Sequence, residues 1–110
     1  SSGDILMVAF DATNGTIWVG KNGAWFNSAT QSEIENGTTS NSMYSSIPMT
    51  ETFFPGACGE NNHVANYNFG NGYFGTTAVS SAGTNASNNG IFEYDVPAGY
   101  TALSTKGLNL

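Results

Sequence analysis

Two Asn-Gly dipeptides, eight residues apart, constrain the fold of this chain more than any other feature. Asn14-Gly15 and Asn22-Gly23 each lie between runs of residues that favour strands. Asn and Gly tolerate the two positive φ angles of a type I′ turn, which joins adjacent antiparallel strands. The two dipeptides therefore predict a three-stranded meander from Ile5 to Asn27, with a two-residue turn at each dipeptide.

The expected turns also determine which side chains share a face of this sheet. A two-residue first turn pairs Asp11 with Trp18, and the second turn pairs Gly20 with Trp25. Because side chains alternate along a strand, one face collects an aliphatic set that we expect to form the core: Leu6, Val8, Phe10, Ile17, Val19 and Phe26. The other face collects Met7, Ala9, Trp18, Gly20 and Trp25. This tryptophan face either packs under another layer or forms an exposed aromatic patch that is open to a ligand.

The composition favours strands and turns over helices along the rest of the chain. Only 9% of the 110 residues are charged, and the polar residues are mostly Asn, Ser, Thr and Gly, which favour turns. The length suits one domain, residues 1–110. We therefore predict an all-β, antiparallel fold with one short helical turn near Ser32 to Asn36. Further strands are expected over Phe53–Cys58, His63–Phe69 and Ile91–Val96.

The charge balance excludes several kinds of partner. The net charge is −6, and Lys21 and Lys106 are the only basic residues, whereas a phosphate backbone is bound by clusters of Lys and Arg. We expect no nucleic-acid partner. The longest apolar run, Ile5 to Phe10, is too short to cross a bilayer, so we expect no membrane insertion. A single cysteine, Cys58, excludes an internal disulfide and is expected to be a small buried side chain.

Residues for catalysis or metal binding are scarce. His63 is the only histidine, and a loop histidine with ordinary hydrogen bonds is the simplest interpretation of it. Glu93 and Asp95 lie two residues apart on one face of an expected strand, where a solvated face is expected. We predict no catalytic residue, no metal site and no cofactor.

Several short motifs, taken in order, resemble a known family. They are Asp4-Ile-Leu-Met-Val-Ala-Phe-Asp11, Gly15-Thr-Ile-Trp-Val-Gly-Lys-Asn-Gly23, Phe54-Pro55, Asn68-Phe69-Gly70, and Val96-Pro-Ala-Gly-Tyr100 with Ala102-Leu103. They resemble the central and closing strands of SPRY (B30.2-like) domains, in the form found in structural proteins of tailed bacteriophages. In such proteins a Ser/Gly/Asn-rich insertion often precedes the closing segment, as Ser80 to Gly90 does here. The resemblance runs from about Gly3 to Leu108.

The resemblance implies a β-sandwich or jelly-roll-like domain that lacks the early SPRY strands at its N-terminal side. It also implies a non-enzymatic virion protein, such as a tail-fibre module for host attachment, which binds a host-surface receptor (glycan or protein) or neighbouring virion subunits. A homo-oligomer is expected, because the sheet has two apolar faces. The candidate binding residues lie on the tryptophan face, at the tip of the meander near Trp25, and in the aromatic loop at residues 71–74. They are Trp18, Trp25, Phe26, Asn71, Tyr73 and Phe74.

Two other functions remain open from the sequence. The first is a cellular SPRY-type protein-interaction module within a longer chain. The second is a fragment of a carbohydrate-active enzyme, which needs a carboxylate pair in a cleft. Glu93 and Asp95 are the candidates for that pair.

Overall fold

Antiparallel strands are the main regular structure of the chain, as the composition predicts. The computed structural model describes residues 3–84 and 90–104. The chain divides into an N-terminal unit, Ser1–Thr52, and a C-terminal unit, Phe53–Leu110. Within the described residues, each unit contains antiparallel strand pairs, and one short α-helix lies in the N-terminal unit.

The predicted meander is the main sheet of the N-terminal unit. Its strands are β1 (Leu6–Asp11), β2 (Thr16–Lys21) and β3 (Ala24–Trp25), in the order β1-β2-β3. The second turn has the predicted form, because Asn22 and Gly23 have φ angles of 51° and 89°. This turn pairs Lys21 with Ala24 and Gly20 with Trp25, as expected.

The first turn differs from the prediction. Asp11 pairs with Thr16, so four residues rather than two connect β1 to β2. The Asp11 carboxylate accepts hydrogen bonds from the backbone N–H groups of Thr13 and Asn14, at 2.9 and 3.1 Å. Such a side chain stabilises a wider turn, in which Gly15 has a positive φ of 67° and Asn14 does not.

This wider turn shifts the pairing of β1 with β2 by two residues. Ala9, rather than Asp11, pairs with Trp18, and Val8 pairs with Val19. Since side chains alternate with a period of two, a shift of two residues leaves every side chain on its expected face. The predicted membership of the two faces is therefore correct for β1 and β2, although the predicted pairs are not.

The prediction that the aliphatic face forms the core is wrong. Leu6 and Val8 on that face are 66% and 67% exposed, whereas Trp18 and Ala9 on the opposite face are 1% and 5% exposed. The chain after β3 contributes two further buried side chains, Ala29 and Ile34. The core of the N-terminal unit therefore includes the tryptophan face, and the aliphatic face is largely exposed.

The segment after β3 contains a helix and also pairs with β2 on the side away from β1. A 3₁₀ turn (Phe26–Ser28) leads to helix α1, Gln31–Glu35, which matches the predicted helical turn. The Thr30 hydroxyl accepts a hydrogen bond from the Glu33 N–H, and the Glu33 carboxylate accepts one from the Thr30 N–H, which is a capping box. Farther along, Tyr44 forms an antiparallel bridge with Ile17 of β2.

The C-terminal unit contains two short hairpins. Strands β4 (Tyr73–Phe74) and β5 (Thr77–Ala78) form the first, and β6 (Gly83–Thr84) and β7 (Ile91–Phe92) form the second. The strands predicted over Phe53–Cys58 and His63–Phe69 are absent, and the strand predicted over Ile91–Val96 ends at Phe92. A strand needs a neighbouring strand with which to pair, and the structure pairs none with residues 53–58, 63–69 or 93–96.

The burial of Cys58 can be compared with the C-terminal unit, whereas the other expectations stay open. Cys58 is exposed, so the prediction that it is buried is wrong. Residues 85–89 of the expected insertion lie outside the described residues, as does the end of the resemblance after Ser104. The single domain over residues 1–110 and the sandwich arrangement stay predictions.

Candidate functional site

A shallow groove in the C-terminal unit combines exposed aromatic rings with polar groups. Its volume is about 370 Å³, and it is lined by Tyr67, Phe69, Gly70, Asn71 and Ser104. This volume lies near the lower end of the range of small-ligand sites, about 300–1,000 Å³. We call this feature the aromatic groove.

Two stacked rings form the apolar part of the aromatic groove. Tyr67 and Phe69 are two residues apart, so an extended chain directs both side chains to the same side. Their ring centroids are 5.5 Å apart with an interplanar angle of 15°. The two residues are nevertheless 45% and 42% exposed. The pair therefore presents a sizeable aromatic surface to solvent instead of contributing to a core.

The side chain of Asn68 organises the backbone of the groove. Its Oδ1 atom accepts hydrogen bonds from the N–H groups of Gly70 and Gly72, at 2.8 and 3.3 Å. Its Nδ2 atom donates to the carbonyl oxygen of Ile91 at 3.0 Å, and the Ile91 N–H donates to the carbonyl oxygen of Gly70 at 2.9 Å. These bonds connect the groove to β7 and hold its backbone in place before any ligand binds.

Asn71 supplies a polar group with a defined orientation. Its Oδ1 atom accepts a hydrogen bond from the Tyr73 N–H at 3.2 Å. Within residues 3–84 and 90–104, its Nδ2 atom has no protein acceptor. Asn71 is itself exposed, so this Nδ2 group can donate a hydrogen bond to a ligand.

Glu93, the carboxylate of the enzymatic alternative, is engaged elsewhere in the unit. It accepts hydrogen bonds from Ser80, through the hydroxyl at 2.6 Å and the N–H at 2.7 Å, and from the Ser81 N–H at 3.2 Å. The Ser80 hydroxyl is the main cause of a pKa for Glu93 below its ordinary value, and the backbone N–H groups of Ser80 and Ser81 also lower it, against a smaller opposing effect of burial. These contacts favour the ionised form, which is unsuited to a general acid.

No metal-binding cluster is found where the structure describes the chain. Within that part of the chain, no three His, Cys, Asp or Glu residues lie close enough together to hold an ion. The lining residues of the aromatic groove that the structure describes are all uncharged. Its chemistry is therefore that of apolar contact combined with neutral hydrogen bonds.

The structure separates the candidate residues into accessible and inaccessible positions. Trp18 is 1% exposed, so its prediction as a binding residue is corrected: the ring is part of the core and cannot reach a ligand. Trp25 is half-buried in β3, and a Cβ atom on Gly20 would lie 3.1 Å from its ring. Phe26 is 39% exposed.

Only one of the predicted residues in the C-terminal unit lines the groove. Asn71 does, whereas Tyr73, which is 48% exposed, and Phe74, which is half-buried, lie in β4. Tyr67 and Phe69 were missed, because their alternation with Asn predicted a half-buried strand. The available signal was the segment Asn66-Tyr-Asn-Phe-Gly70, which combines aromatic residues with Asn and Gly as the segment at residues 71–74 does.

Comparisons with known proteins identify no relative of this chain: no family model, no curated protein and no solved structure matches it significantly. Among the described residues, no helix has the length and apolar character needed to cross a membrane.

Proposed function

We propose that this chain is a non-enzymatic attachment module of a tailed-phage virion, built as an SPRY-like β-sandwich, that recognises a host-surface molecule through the aromatic groove. The order of the five motifs supports the SPRY-like and phage parts of the proposal. The exposed Tyr67–Phe69 stack is the observation that carries the recognition function. Recognition sites commonly lie in loops that a rigid framework holds in place.

The geometry of the carboxylates supports a binding function over a hydrolytic one. A glycosidase needs two carboxyl groups that face one cleft, one of them with a raised pKa. Glu93 instead bonds to Ser80 and Ser81, its pKa is lowered, and it does not line the aromatic groove. We expect Glu93→Gln to loosen the segment around Ser80 and to leave ligand binding in the groove unchanged.

A second candidate function is protein–protein interaction, in a cellular SPRY-type module or between virion subunits. The exposed aliphatic face of the N-terminal sheet favours it, because Leu6 and Val8 are two-thirds exposed and are alternate residues of β1, so they share one face. The expected homo-oligomer would use this face. Leu6→Asp should then weaken self-association or partner binding and leave the aromatic groove unaffected.

The attachment function can be tested with whole cells. Cys58 is the only cysteine and is exposed, so a maleimide dye attaches there without further substitutions. We expect the labelled chain to bind intact cells of at least one strain in a broad bacterial panel. Tyr67→Ala should abolish this binding, whereas Tyr73→Ala, which removes a similarly exposed ring outside the groove, should retain it.

Two results would contradict this proposal. One is an absence of binding to every strain in the panel, and the other is equal binding by the native chain and Tyr67→Ala. The virion assignment has its own test, because purified phage particles should contain peptides of this chain. Peptides found only in the soluble fraction of infected cells would argue against a structural role.

A further inference from the structure

We infer that the aromatic groove binds a neutral pyranose ring of a glycan, with the sugar lying on the Tyr67–Phe69 stack and a hydroxyl oxygen accepting a hydrogen bond from Asn71. This inference rests on the proposed attachment function and names the class of ligand. Three properties of the groove lead to it: the ring surface, the placed polar groups and the uncharged side chains of its described lining.

The ring surface suits one face of a sugar. The faces of aromatic rings are electron-rich, and the C–H groups on one side of a pyranose form an apolar surface with a slight positive polarisation. Tyr67 and Phe69 are nearly parallel at 15° and almost half exposed, so they offer aromatic surface to such a ring. A flat ligand with polar edges is therefore better matched than a branched aliphatic side chain.

The polar groups suit the edge of the same ligand. The Asn71 amide is oriented by its bond from the Tyr73 N–H, which leaves Nδ2 as the donor. The backbone beside it is held by the three hydrogen bonds of Asn68. Little ordering is then needed when a ligand binds, so a small ligand can bind with few contacts.

The charge of the site selects against acidic sugars and phosphates. No charged residue contributes to the described lining of the groove, and the chain carries a net charge of −6. Among the described lining residues an anionic ligand would find no cation, and the net negative charge of the chain would repel it. The size of the site also disfavours a protein partner, because a standard interface covers about 800 Å² on each partner, whereas the described lining of this groove is five residues.

The inference can be tested by NMR with defined sugars and the complete chain. The neutral probes are the methyl β-glycosides of glucose, galactose and N-acetylglucosamine, and the anionic probes are methyl α-sialoside and inorganic phosphate. We expect saturation transfer to at least one neutral glycoside, with a Kd in the millimolar range. Tyr67→Ala and Phe69→Ala should each weaken binding about tenfold or more. Tyr67→Phe keeps the ring and should bind within about a factor of three of the native chain.

Two further variants control for folding and position. Tyr73→Ala should bind like the native chain, because Tyr73 does not line the groove. Asn71→Asp has nearly the same volume but adds a negative charge and loses the donor, so it should weaken binding without changing the fold, as shown by circular dichroism. Binding of the anionic probes as tight as that of the neutral ones, or equal loss in Tyr73→Ala, would overturn the inference.

The cell-binding assay separates this inference from the proposed function. Periodate oxidises the diols of surface sugars, and proteinase K removes surface proteins. We expect periodate treatment of the cells to abolish binding of the labelled chain and proteinase K to leave it intact. If proteinase K alone abolishes binding, or if no neutral glycoside binds while cells do, the attachment function stands and the sugar inference fails. If a glycoside binds and no cells do, the attachment function fails instead.

Discussion

Replacing Trp18 tests which face of the N-terminal sheet is the core. The side chain is 1% exposed, and a tryptophan buries up to about 250 Å², which at about 25 cal/mol/Å² corresponds to about 6 kcal/mol as an upper limit. Measured losses for a large aromatic residue replaced by alanine are about 3–5 kcal/mol. We therefore expect Trp18→Ala to lower the free energy of unfolding by about 3–5 kcal/mol.

The matched control lies on the opposite face of the same sheet. Val8 is 67% exposed, and Val8→Thr keeps the shape and the β-branch while it adds a hydroxyl group. In a core this hydroxyl would be costly, whereas at an exposed position the change should stay within about 0.5 kcal/mol. Trp18→Phe provides a milder variant of the core position in case Trp18→Ala does not fold.

Urea unfolding followed by tryptophan fluorescence is the appropriate assay. Both tryptophans, Trp18 and Trp25, belong to the N-terminal unit, so the signal reports on that unit, and Trp25 remains as the reporter when Trp18 is replaced. The reasoning would be refuted if Val8→Thr lowered the free energy of unfolding by more than Trp18→Phe did. That result would mean that the aliphatic face is buried in solution.

Three further predictions follow from the turns, the helix cap and the carboxylates. Gly15→Ala should destabilise the protein clearly more than Gly37→Ala, because the two glycines have similar φ angles of 67° and 69° but only the new Cβ at Gly15 meets the Ile47 carbonyl; equal midpoints in urea would contradict this. Thr30→Ala removes the helix cap and should lower the free energy of unfolding by about 1 kcal/mol, whereas Gln31→Ala should change it little, and equal losses would argue against the cap. Burial raises the pKa of Asp11, but hydrogen bonds from Asn14 and Thr13 outweigh it, so its folded pKa lies below the ordinary value of 3.8. The ionised Asp11 therefore stabilises the folded protein above the unfolded pKa, and this contribution is lost as the pH falls through the folded pKa. Urea midpoints should therefore fall between pH 5 and pH 2 in the native chain and fall less in Asp11→Asn, and parallel curves for the two proteins would contradict this.

The turns show how far local sequence determined the fold. Asn22-Gly23 forms the predicted turn with two positive φ angles, and the Asn22 side chain supports it by bonding to the Ile5 N–H and the Asp4 carboxylate. Asn14-Gly15 does not, because the Asp11 carboxylate bonds to the backbone of the turn and widens it. The sequence contained the information needed to predict the wider turn, since an Asp three residues before an Asn-Gly pair can bond to the backbone of the turn.

The choice of the buried face could not be made from the strands alone. Both faces are apolar, one through Leu6 and Val8 and the other through Trp18 and Ala9, so alternation assigns residues to faces without saying which face is covered. Which face is covered depends on the path of the rest of the chain, of which the segment after β3 adds the buried side chains Ala29 and Ile34. That path depends on contacts distant in sequence, which a local pattern does not contain.

The aromatic groove was partly predictable. Asn71 was expected in a binding loop, and the mixture of aromatic residues with Asn and Gly was the correct kind of signal. The position was missed because the groove depends on a hydrogen bond between Asn68 and Ile91, which are 23 residues apart. Without that bond, the alternation around Tyr67 and Phe69 is that of an ordinary strand.

The most direct test of the recognition site is the detection of intermolecular NOEs between a bound neutral methyl glycoside and the aromatic protons of the chain. If the sugar binds in the groove, its C–H protons show NOEs to the rings of Tyr67 and Phe69 and none to Tyr73 or Trp25. NOEs confined to Tyr73, Phe74 or Trp25 would contradict it, because the sugar would then bind outside the groove that Tyr67, Phe69 and Asn71 line.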